Sequence, residues 1–515
     1  MANRRVATAW AATMCVATCA AVGLAAGPAP IPASGVRPTT TAGAPGASDA
    51  PTGESSPRVV TRVGRSSSGY AQVEGLPRFR VGPDAVRAVD RAHRPYVLHS
   101  VAPLHDPRRA RDAEGVAMYV KDGRQFNHPV LQAQRALALT LSYRNGGGPE
   151  YLALAKKHAE RMLSYSVRSR GARYFPYPFD FALHGKAEQT LRAPWYSAMA
   201  QGQAVSVFVG LYETTGEQRW KDAAEASFAS FLNPRAAGVP WTVYVDDQDL
   251  LWFEEYPGDP SDRALNGHNY ALFGVYDYWR LTGDPRAALL FTGGLEATRQ
   301  HSRQIRVAGR TSRYCLAHDV HSSSYHDIHI GQFYTLYTLT GSRDLARLGD
   351  TFQADAPADY EAGAGYLAAG RHVAVTRDAS GRVTASSTVD LPRGQDVSVG
   401  SRLWVAGRAG VWLRIDSGPL RGSWVAERPG RAYVLGVRDR VDFTPRRTGV
   451  FAAGEHVGYR RGPNGRMAPV ATLRLTRASS ATVSARQTVD GRVYAMVSTG
   501  RLGGLAVPMD GVRLR

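Results

Sequence analysis

Three short stretches of this chain carry the residue types that move a proton on and off carbon. They are Glu254-Glu255-Tyr256-Pro257, Arg313-Tyr314-Cys315-Leu316-Ala317-His318 and Tyr325-His326-Asp327-Ile328-His329. Glutamate serves as a general base when burial raises its pKa. Tyrosine serves as a base where positive charge lowers its pKa, and as an acid when neutral. We read no serine triad, metal-ligand cluster or phosphate loop in the sequence that would compete with them. The set points to proton abstraction beside a carboxyl group, as in a sugar acid.

Removing the C5 proton of a uronic acid builds a second negative charge on its carboxyl. The reaction needs a base on one face, a donor or cation at the carboxyl, and an acid on the other face. Glu255 and Tyr256 are adjacent, so an extended strand would send their side chains to opposite faces. Pro257 disfavours helix at Tyr256. His326, His329 and Gln332 fall at helical spacing and predict a polar stripe at a helix start. A helix N-terminus there favours an anionic group. His321 adds a further imidazole, but no acidic residue stands at zinc-hydrolase spacing, so we expect neither metal nor cofactor. Cys315 is read as a buried filler rather than a nucleophile.

A helical repeat must position these groups. Apolar residues recur at helical spacing in Val130–Tyr143 and Tyr151–Leu163, then in Ala198–Tyr212 and Trp220–Phe231. They do so again in Asn269–Leu281 and Ala287–Thr298, and in Ile328–Leu339 and Asp344–Phe352. Gly146, Gly216, Gly283 and Gly341 break the pairs as helix C-caps. The acid or serine that follows Gly216, Gly283 and Gly341 is placed to cap the next helix. Four such hairpins predict an (α/α) toroid. The long aromatic connections 166–194, 233–264 and 304–325 carry the tyrosine motifs, or meet helices at them.

Beyond about residue 362 a second repeat begins, in short alternating strands with Gly turns. Ala368-Ala369-Gly370-Arg371-His372-Val373 matches Ala452-Ala453-Gly454-Glu455-His456-Val457, an offset of 84. Gly422 and Val425 match Gly504 and Val507 at 82. Residues 371–515 hold 24 Arg, no Lys and ten acids, so most of the chain's formal charge of +19 lies there. The fold class is therefore multidomain α + β. Its expected parts are an export signal over 1–26, a Pro/Ala/Ser/Thr linker over 27–57, the helical toroid over 58–360, and two β modules over 361–445 and 446–515. Arg4-Arg5 before an Ala-rich apolar run motivates the signal, which would remove Cys15 and Cys19 and leave Cys315 alone. A basic exported chain is expected to meet anionic polysaccharide, cell wall or capsule rather than nucleic acid.

At these residues the sequence resembles the D-glucuronyl C5-epimerases of heparan sulfate and heparosan synthesis, over roughly 115–350. The resemblance lies in Trp195-Tyr196-Ser197-Ala198-Met199-Ala200-Gln201-Gly202-Gln203, Glu254-Glu255-Tyr256-Pro257 and Leu265-Asn266-Gly267 through Tyr270. It continues in Gly274-Val275-Tyr276-Asp277 and in Tyr325-His326 with His329 and Gln332. It implies a toroidal catalytic domain with Glu255, Tyr256, Tyr314 and Tyr325 as its catalytic groups. Glu255 and Tyr325 would be the acid–base pair on opposite faces of C5, with Tyr256 and Tyr314 in support. It places Trp195, Tyr196, Gln201, Gln203, Asn266, His318, His326, His329 and Gln332 at the substrate, and makes a homodimer an expectation. Two departures stand out. The animal enzymes carry Arg near the second and third tyrosines, where Ala317 and Ser324 stand here; Arg313, Arg263 and Arg192 are the candidates to serve the carboxylate instead, and the sequence does not choose among them. The family's large β domain ahead of the helices has no counterpart of that size. The same residues also suit a uronate lyase, which starts with the same abstraction. The acids Asp246, Asp247, Asp249, Glu254 and Glu255 suit a glycoside hydrolase, and a helical scaffold without turnover suits a binder of anionic glycans.

Overall fold

The computed structural model describes residues 69–515 apart from 99, 357–359, 380, 406, 407, 409 and 463–465. The expected export signal and linker lie outside the described residues. Eight α-helices among the described residues form four hairpins: α1 (Pro129–Arg144) with α2 (Pro149–Tyr165), α3 (Ala198–Thr215) with α4 (Gln218–Phe228), α5 (Leu265–Thr282) with α6 (Pro285–Ile305), and α7 (Ser323–Thr340) with α8 (Arg343–Asp355). Gly216, Gly283 and Gly341 end α3, α5 and α7 in the left-handed conformation, at φ 71°, 71° and 72°. Glycine adopts that geometry without a Cβ penalty. Of the three expected side-chain caps only Asp284 forms, accepting from the Arg286 N–H; Glu217 and Ser342 occupy the cap position without the bond.

The first helix of each hairpin touches the next: α1 meets α3, α3 meets α5, and α5 meets α7. These four are buried on nearly every face, whereas α2, α4 and α8 bury a single stripe. The array therefore has an inner and an outer layer. The inner helices α3 and α5 cross with their backbones in contact at Gly202 and Gly274. A methyl group on Gly202 would sit 2.5 Å from the Ala271 Cα, closer than packed atoms tolerate. Two glycines of the sequence motifs thus serve helix packing.

Helices α5 and α7 begin four and five residues before their apolar periodicity does. Their first turns hold Asn266, Tyr325 and His326, polar residues buried at the layer's interior, so no solvent-facing side marks the start.

A short antiparallel hairpin, β1 (Val243–Val245) and β2 (Leu251–Phe253), lies before α5, and β2 packs on α5 and α6.

The C-terminal repeat is a repeat of strand order. In the first sheet β3 (Tyr360–Leu367), β4 (Gly370–Arg377), β5 (Val383–Leu391), β6 (Gln395–Trp404), β7 (Val411–Ile415), β8 (Trp424–Ala426) and β9 (Ala432–Val434) lie in the order β5-β4-β8-β7-β6-β3-β9. In the second, β10 (Val437–Phe451), β11 (Gly454–Arg461), β12 (Met467–Leu475), β13 (Ser479–Val489), β14 (Arg492–Val497), β15 (Ala506–Pro508) and β16 (Val512–Leu514) lie in the order β12-β11-β15-β14-β13-β10-β16. Each strand has its counterpart seven places on, and all pairings are antiparallel. The His372 and His456 imidazoles bond the Ala368 and Ala452 carbonyls at 2.7 and 2.8 Å, the same contact in each copy. The break between the sheets falls at residues 435–436, ten residues before the expected boundary. The second sheet docks on the last helical hairpin: Arg447 pairs with Asp350 at 2.7 Å, the Tyr337 hydroxyl donates to the Pro445 carbonyl, and Phe443 packs near Tyr334. The first sheet buries cores of its own.

Candidate active site

Strand β2 delivers Glu254 and Glu255 to the space between helix starts. The Glu254 carbonyl accepts from Ala198 N–H, the first residue of α3, at 2.8 Å. Its carboxylate takes the Tyr256 N–H at 3.1 Å, the Arg263 N–H at 3.2 Å and the Ser261 hydroxyl. Glu254 is thus a latch that shapes the 254–263 loop. His268 of α5 sets the preceding strand: its Nδ1 accepts from the Phe253 N–H at 3.0 Å and its Nε2–H donates to the Gly294 carbonyl at 2.9 Å. Burial holds this imidazole neutral, with its pKa pushed down to about 3. Neither Glu254's latch nor His268 announces itself by spacing; only the burial of their polar atoms shows their role.

Glu255 lies against the first turn of α5. Its Oε2 accepts from Asn266 Nδ2 at 3.3 Å and from the Tyr314 hydroxyl at 3.2 Å. A side chain at Gly267 would collide with this carboxylate. The Tyr314 hydroxyl lies 3.0 Å from that of Tyr256. The chain bends at Glu255 and Tyr256 instead of running extended, so the two side chains converge on Tyr314 rather than face opposite ways. The bend follows from the Glu254 latch and Pro257, which together turn the chain off the β2 line. Tyr325, on the first turn of α7, packs its ring at 69° to that of Tyr314, centroids 4.4 Å apart. The four groups Glu255, Tyr256, Tyr314 and Tyr325 therefore form one buried cluster where the N-termini of α3, α5 and α7 meet.

Burial, with the neighbouring charges of Asp262 and Glu254, pushes the Glu255 carboxyl up to about 8 against the hydrogen bonds from Tyr256 and Tyr314. Burial and the charge of Asp262 push Glu254 up to about 7. Three buried polar atoms around the cluster have no hydrogen-bond partner among the described residues: the Tyr325 hydroxyl, His329 Nε2 and Asn266 Oδ1. Tyr325 and His329, four apart, share one face of α7.

The remaining expected substrate contacts divide. Trp195 stacks on Tyr177 at 3.7 Å, lies 6.1 Å from Tyr256, and donates its Nε1–H to the Phe179 carbonyl. With Tyr196, Arg192, Arg235, Trp241 and Pro257 it lines an open groove of about 630 Å³ beside the cluster. Gln201 is fully committed elsewhere, to the Phe175 N–H, the Arg173 carbonyl and Ser230. Gln203 is buried beside Tyr96. His326 accepts from the Ser312 N–H at 2.9 Å and donates to the Phe352 carbonyl at 2.9 Å. Gln332 donates to the Asn266 carbonyl at 2.9 Å and accepts from Asn269 at 3.1 Å. The predicted polar stripe exists, but it faces the 305–314 loop and α5 and ties them to α7. His318 bonds Asp262 at 2.7 Å. Of the three arginines considered for a carboxylate, Arg192 pairs with Asp180 at 2.6 Å and Arg313 with Asp319 at 2.9 Å. Arg263, half-buried next to Asp262, makes no ion pair among the described residues.

The model of the D-glucuronyl C5-epimerase C-terminus matches residues 170–354, which hold every group of this cluster. Residues 170–354 are thus similar to that family's C-terminal region. The D-glucuronyl C5-epimerase of Caenorhabditis elegans is 36% identical over 98 residues, 18% of this chain and 15% of the worm protein. An uncharacterised protein of Methanocaldococcus jannaschii is 27% identical over 167 residues, 32% of this chain and 52% of that one. The chain thus spans about half, or less, of the length of these curated relatives. Among solved structures, a cellobiose 2-epimerase from Spirochaeta thermophila is similar at 16% identity, covering 48% of this chain and 63% of that one, with a TM-score of 0.35.

Proposed function

We propose that the chain is a carbohydrate epimerase that inverts C5 of a D-glucuronate, or a similar uronate, within a glycan. One observation carries the reading. A carboxyl whose pKa is pushed up to about 8 touches a tyrosine hydroxyl, while a second, buried tyrosine hydroxyl packed on the same ring has no partner among the described residues. Glu255 in its ionised form takes the C5 proton as the C–H bond breaks. Tyr325 returns a proton to the opposite face, leaving a phenolate beside a protonated carboxyl. Tyr314, in contact with Glu255 and with Tyr256, passes the proton that restores the starting state. The developing dianion is stabilised by the amide N–H groups at the starts of α3, α5 and α7, which carry partial positive charge, and by Arg263. These take the place of the arginines that the animal pattern has near the tyrosines. The Trp195 groove presents aromatic faces to the sugar chain, with Arg192 and Arg235 held at its side by Asp180 and Asp259, on a helical array that is a segment of an (α/α) toroid. The Arg-rich C-terminal sheets hold wall or capsule polymer, and the protein acts outside the cell.

The test is proton NMR of heparosan and other uronate polymers incubated with the purified chain in D₂O. Deuterium at C5 with iduronate signals is the expected result. An unsaturated uronate would make the chain a lyase. No exchange on any polymer, with binding retained, would make it a glycan-binding protein and overturn the proposal.

A further inference from the structure

Behind the tyrosine cluster four side chains from three separated segments bring their ligand atoms together: His184, Asp262, Cys315 and His318, all four within 4.8 Å of one another. The Cys315 sulfur lies 3.5 Å from His184 Nε2 and 3.4 Å from His318 Nδ1, and Asp262 Oδ1 lies 3.2 Å from His184 Nε2. Zinc bonds of about 2.3 Å to sulfur and about 2.0 Å to nitrogen or oxygen, at tetrahedral angles, require ligand separations of about 3.5 Å and about 3.3 Å respectively. Three of the six pairs already stand there, and the two pairs besides these and the His318–Asp262 pair lie within 4.8 Å. His318 Nδ1 to Asp262 Oδ1, at 2.7 Å, is a hydrogen bond that would open by about 0.6 Å. The side chains of His184, Asp262 and His318 are 9%, 1% and 10% exposed, and Cys315 is buried, so the site is closed to solvent on most sides.

We infer that these four residues form a tetrahedral site for a zinc-class divalent cation. A set of one sulfur, two imidazole nitrogens and one carboxylate suits Zn²⁺ rather than the hard cations, which take oxygen ligands. No spacing in the sequence announces the site, since the first three ligands lie 78 and 53 residues apart and only Cys315 and His318 are close. The expectation of no metal came from zinc-hydrolase spacing, which this geometry does not use. A thiol binds a metal as its thiolate, so Cys315 gives up its proton on capture. Capture of the cation forms the metal–sulfur bond and releases that one proton to solvent.

The role is positioning. With a thiolate, a carboxylate and two neutral imidazoles, a divalent ion gives a site of zero net charge. It therefore adds little field at the substrate carboxyl. Four protein ligands leave no open position for substrate, as in structural zinc sites. What the ion would do is pin three segments: the 183–185 turn, the 254–263 loop latched by Glu254, and the turn that carries Tyr314 immediately before Cys315. The His184 ring packs edge-on against Tyr314, centroids 5.5 Å apart. His184 itself sits at φ 52°, in the left-handed region that few residues with a side chain adopt.

The experiment is metal content of the tag-free full chain after equilibration with Zn²⁺ and exhaustive dialysis, with parallel loading by Co²⁺. The expected result is one equivalent of zinc, a higher thermal midpoint than the chelated chain, and a cobalt form with tetrahedral visible bands and thiolate charge transfer. Cys315→Ser should abolish the charge transfer, and His318→Gln should weaken zinc binding by roughly 100-fold or more. His321→Gln, outside the cluster, should change neither. A wild-type chain that is folded by circular dichroism yet retains no zinc would overturn the site. So would a cobalt spectrum indifferent to Cys315→Ser. None of these readouts depends on turnover, so a failed epimerase assay leaves the metal result standing on its own.

Discussion

Tyr325 and His326 are neighbours on the first turn of α7, yet they belong to regions with opposite chemistry. Tyr325 turns into the cluster with Glu255 and Tyr314, where its hydroxyl has no partner among the described residues. His326 turns the other way into a lattice with Ser312, Phe352 and, through Gln332, Asn266, where nearly every polar atom is used. Both regions are buried and both lie in the stretch that matches the epimerase family. The difference is that one retains hydrogen-bonding capacity and a carboxyl poised near neutrality, while the other is saturated and neutral. His329 stands at the border, with Nδ1 bonded to Ser312 at 2.9 Å and Nε2 unpartnered.

The comparison breaks most sharply at Glu255. Glu255→Gln should lower the rate of C5 deuterium incorporation by about 10²–10⁴-fold. Its thermal midpoint at pH 7 should not fall, because a neutral amide replaces a carboxyl that burial keeps largely protonated. An unchanged rate would remove Glu255 from the chemistry. Tyr325→Phe should lower the rate by about 10²-fold or more while titration calorimetry finds the glycan bound nearly as before; equal losses in rate and affinity would make Tyr325 a binding group. On the saturated side, Gln332→Ala and His326→Ala should each cost about 1–3 kcal/mol in denaturant unfolding, because each leaves buried backbone groups unpaired. The folded fraction should keep its rate, and a full loss of turnover at unchanged stability would place the stripe at the substrate after all. Gly202→Ala should cost about 1–3 kcal/mol through the α3–α5 crossing, readable as a lower unfolding midpoint.

The smallest effect is in pH. Glu254, Glu255 and Asp277 have folded pKa values pushed up by burial to about 7, 8 and 7, from 4.5, 4.5 and 3.8. The folded state therefore holds protons that the unfolded chain has released. Stability is greatest below about pH 4 for these groups and falls as pH rises toward 8. Glu254→Gln should flatten that fall in unfolding measured across the window. Turnover should run the other way and rise with pH toward 8, as Glu255 ionises to act as base.

Much of the helical array was legible because hairpins leave a period. The Gly C-caps and the outer stripes of α2, α4 and α8 put helix ends and faces in the sequence. The inner helices were harder. Buried on all sides, they lose the polar face that marks a start, so Asn266 fell ahead of the predicted helix and Tyr325 at the end of a connection, although both sit in first turns. At the site, residue identity was legible and allegiance was not. Gln201, His326 and Gln332 carry the right chemistry in the right motif, and only their hydrogen bonds assign them to the frame. Glu255 and Tyr256 could not be placed on one side of the chain from the sequence, since the bend depends on a latch whose partners, Ser261 and Arg263, come later. The metal-capable quartet was illegible for the same reason: its members meet only through tertiary folding.

The docking of the second sheet bears on how the chain is made. Asp350 on α8 waits for Arg447, 97 residues further along, and Tyr334 and Tyr337 of α7 rest on Phe443 and Pro445. During synthesis the first three hairpins can close as they emerge, but the last cannot cover its outer face until the whole first sheet has left the ribosome. Tyr325 and His329 stand on that last hairpin, so the catalytic cluster would mature late, after an intermediate in which α7 and α8 lie uncovered. Growing chains stopped before and after residue 450 should therefore differ in their protection of α7 from protease far more than in that of α3.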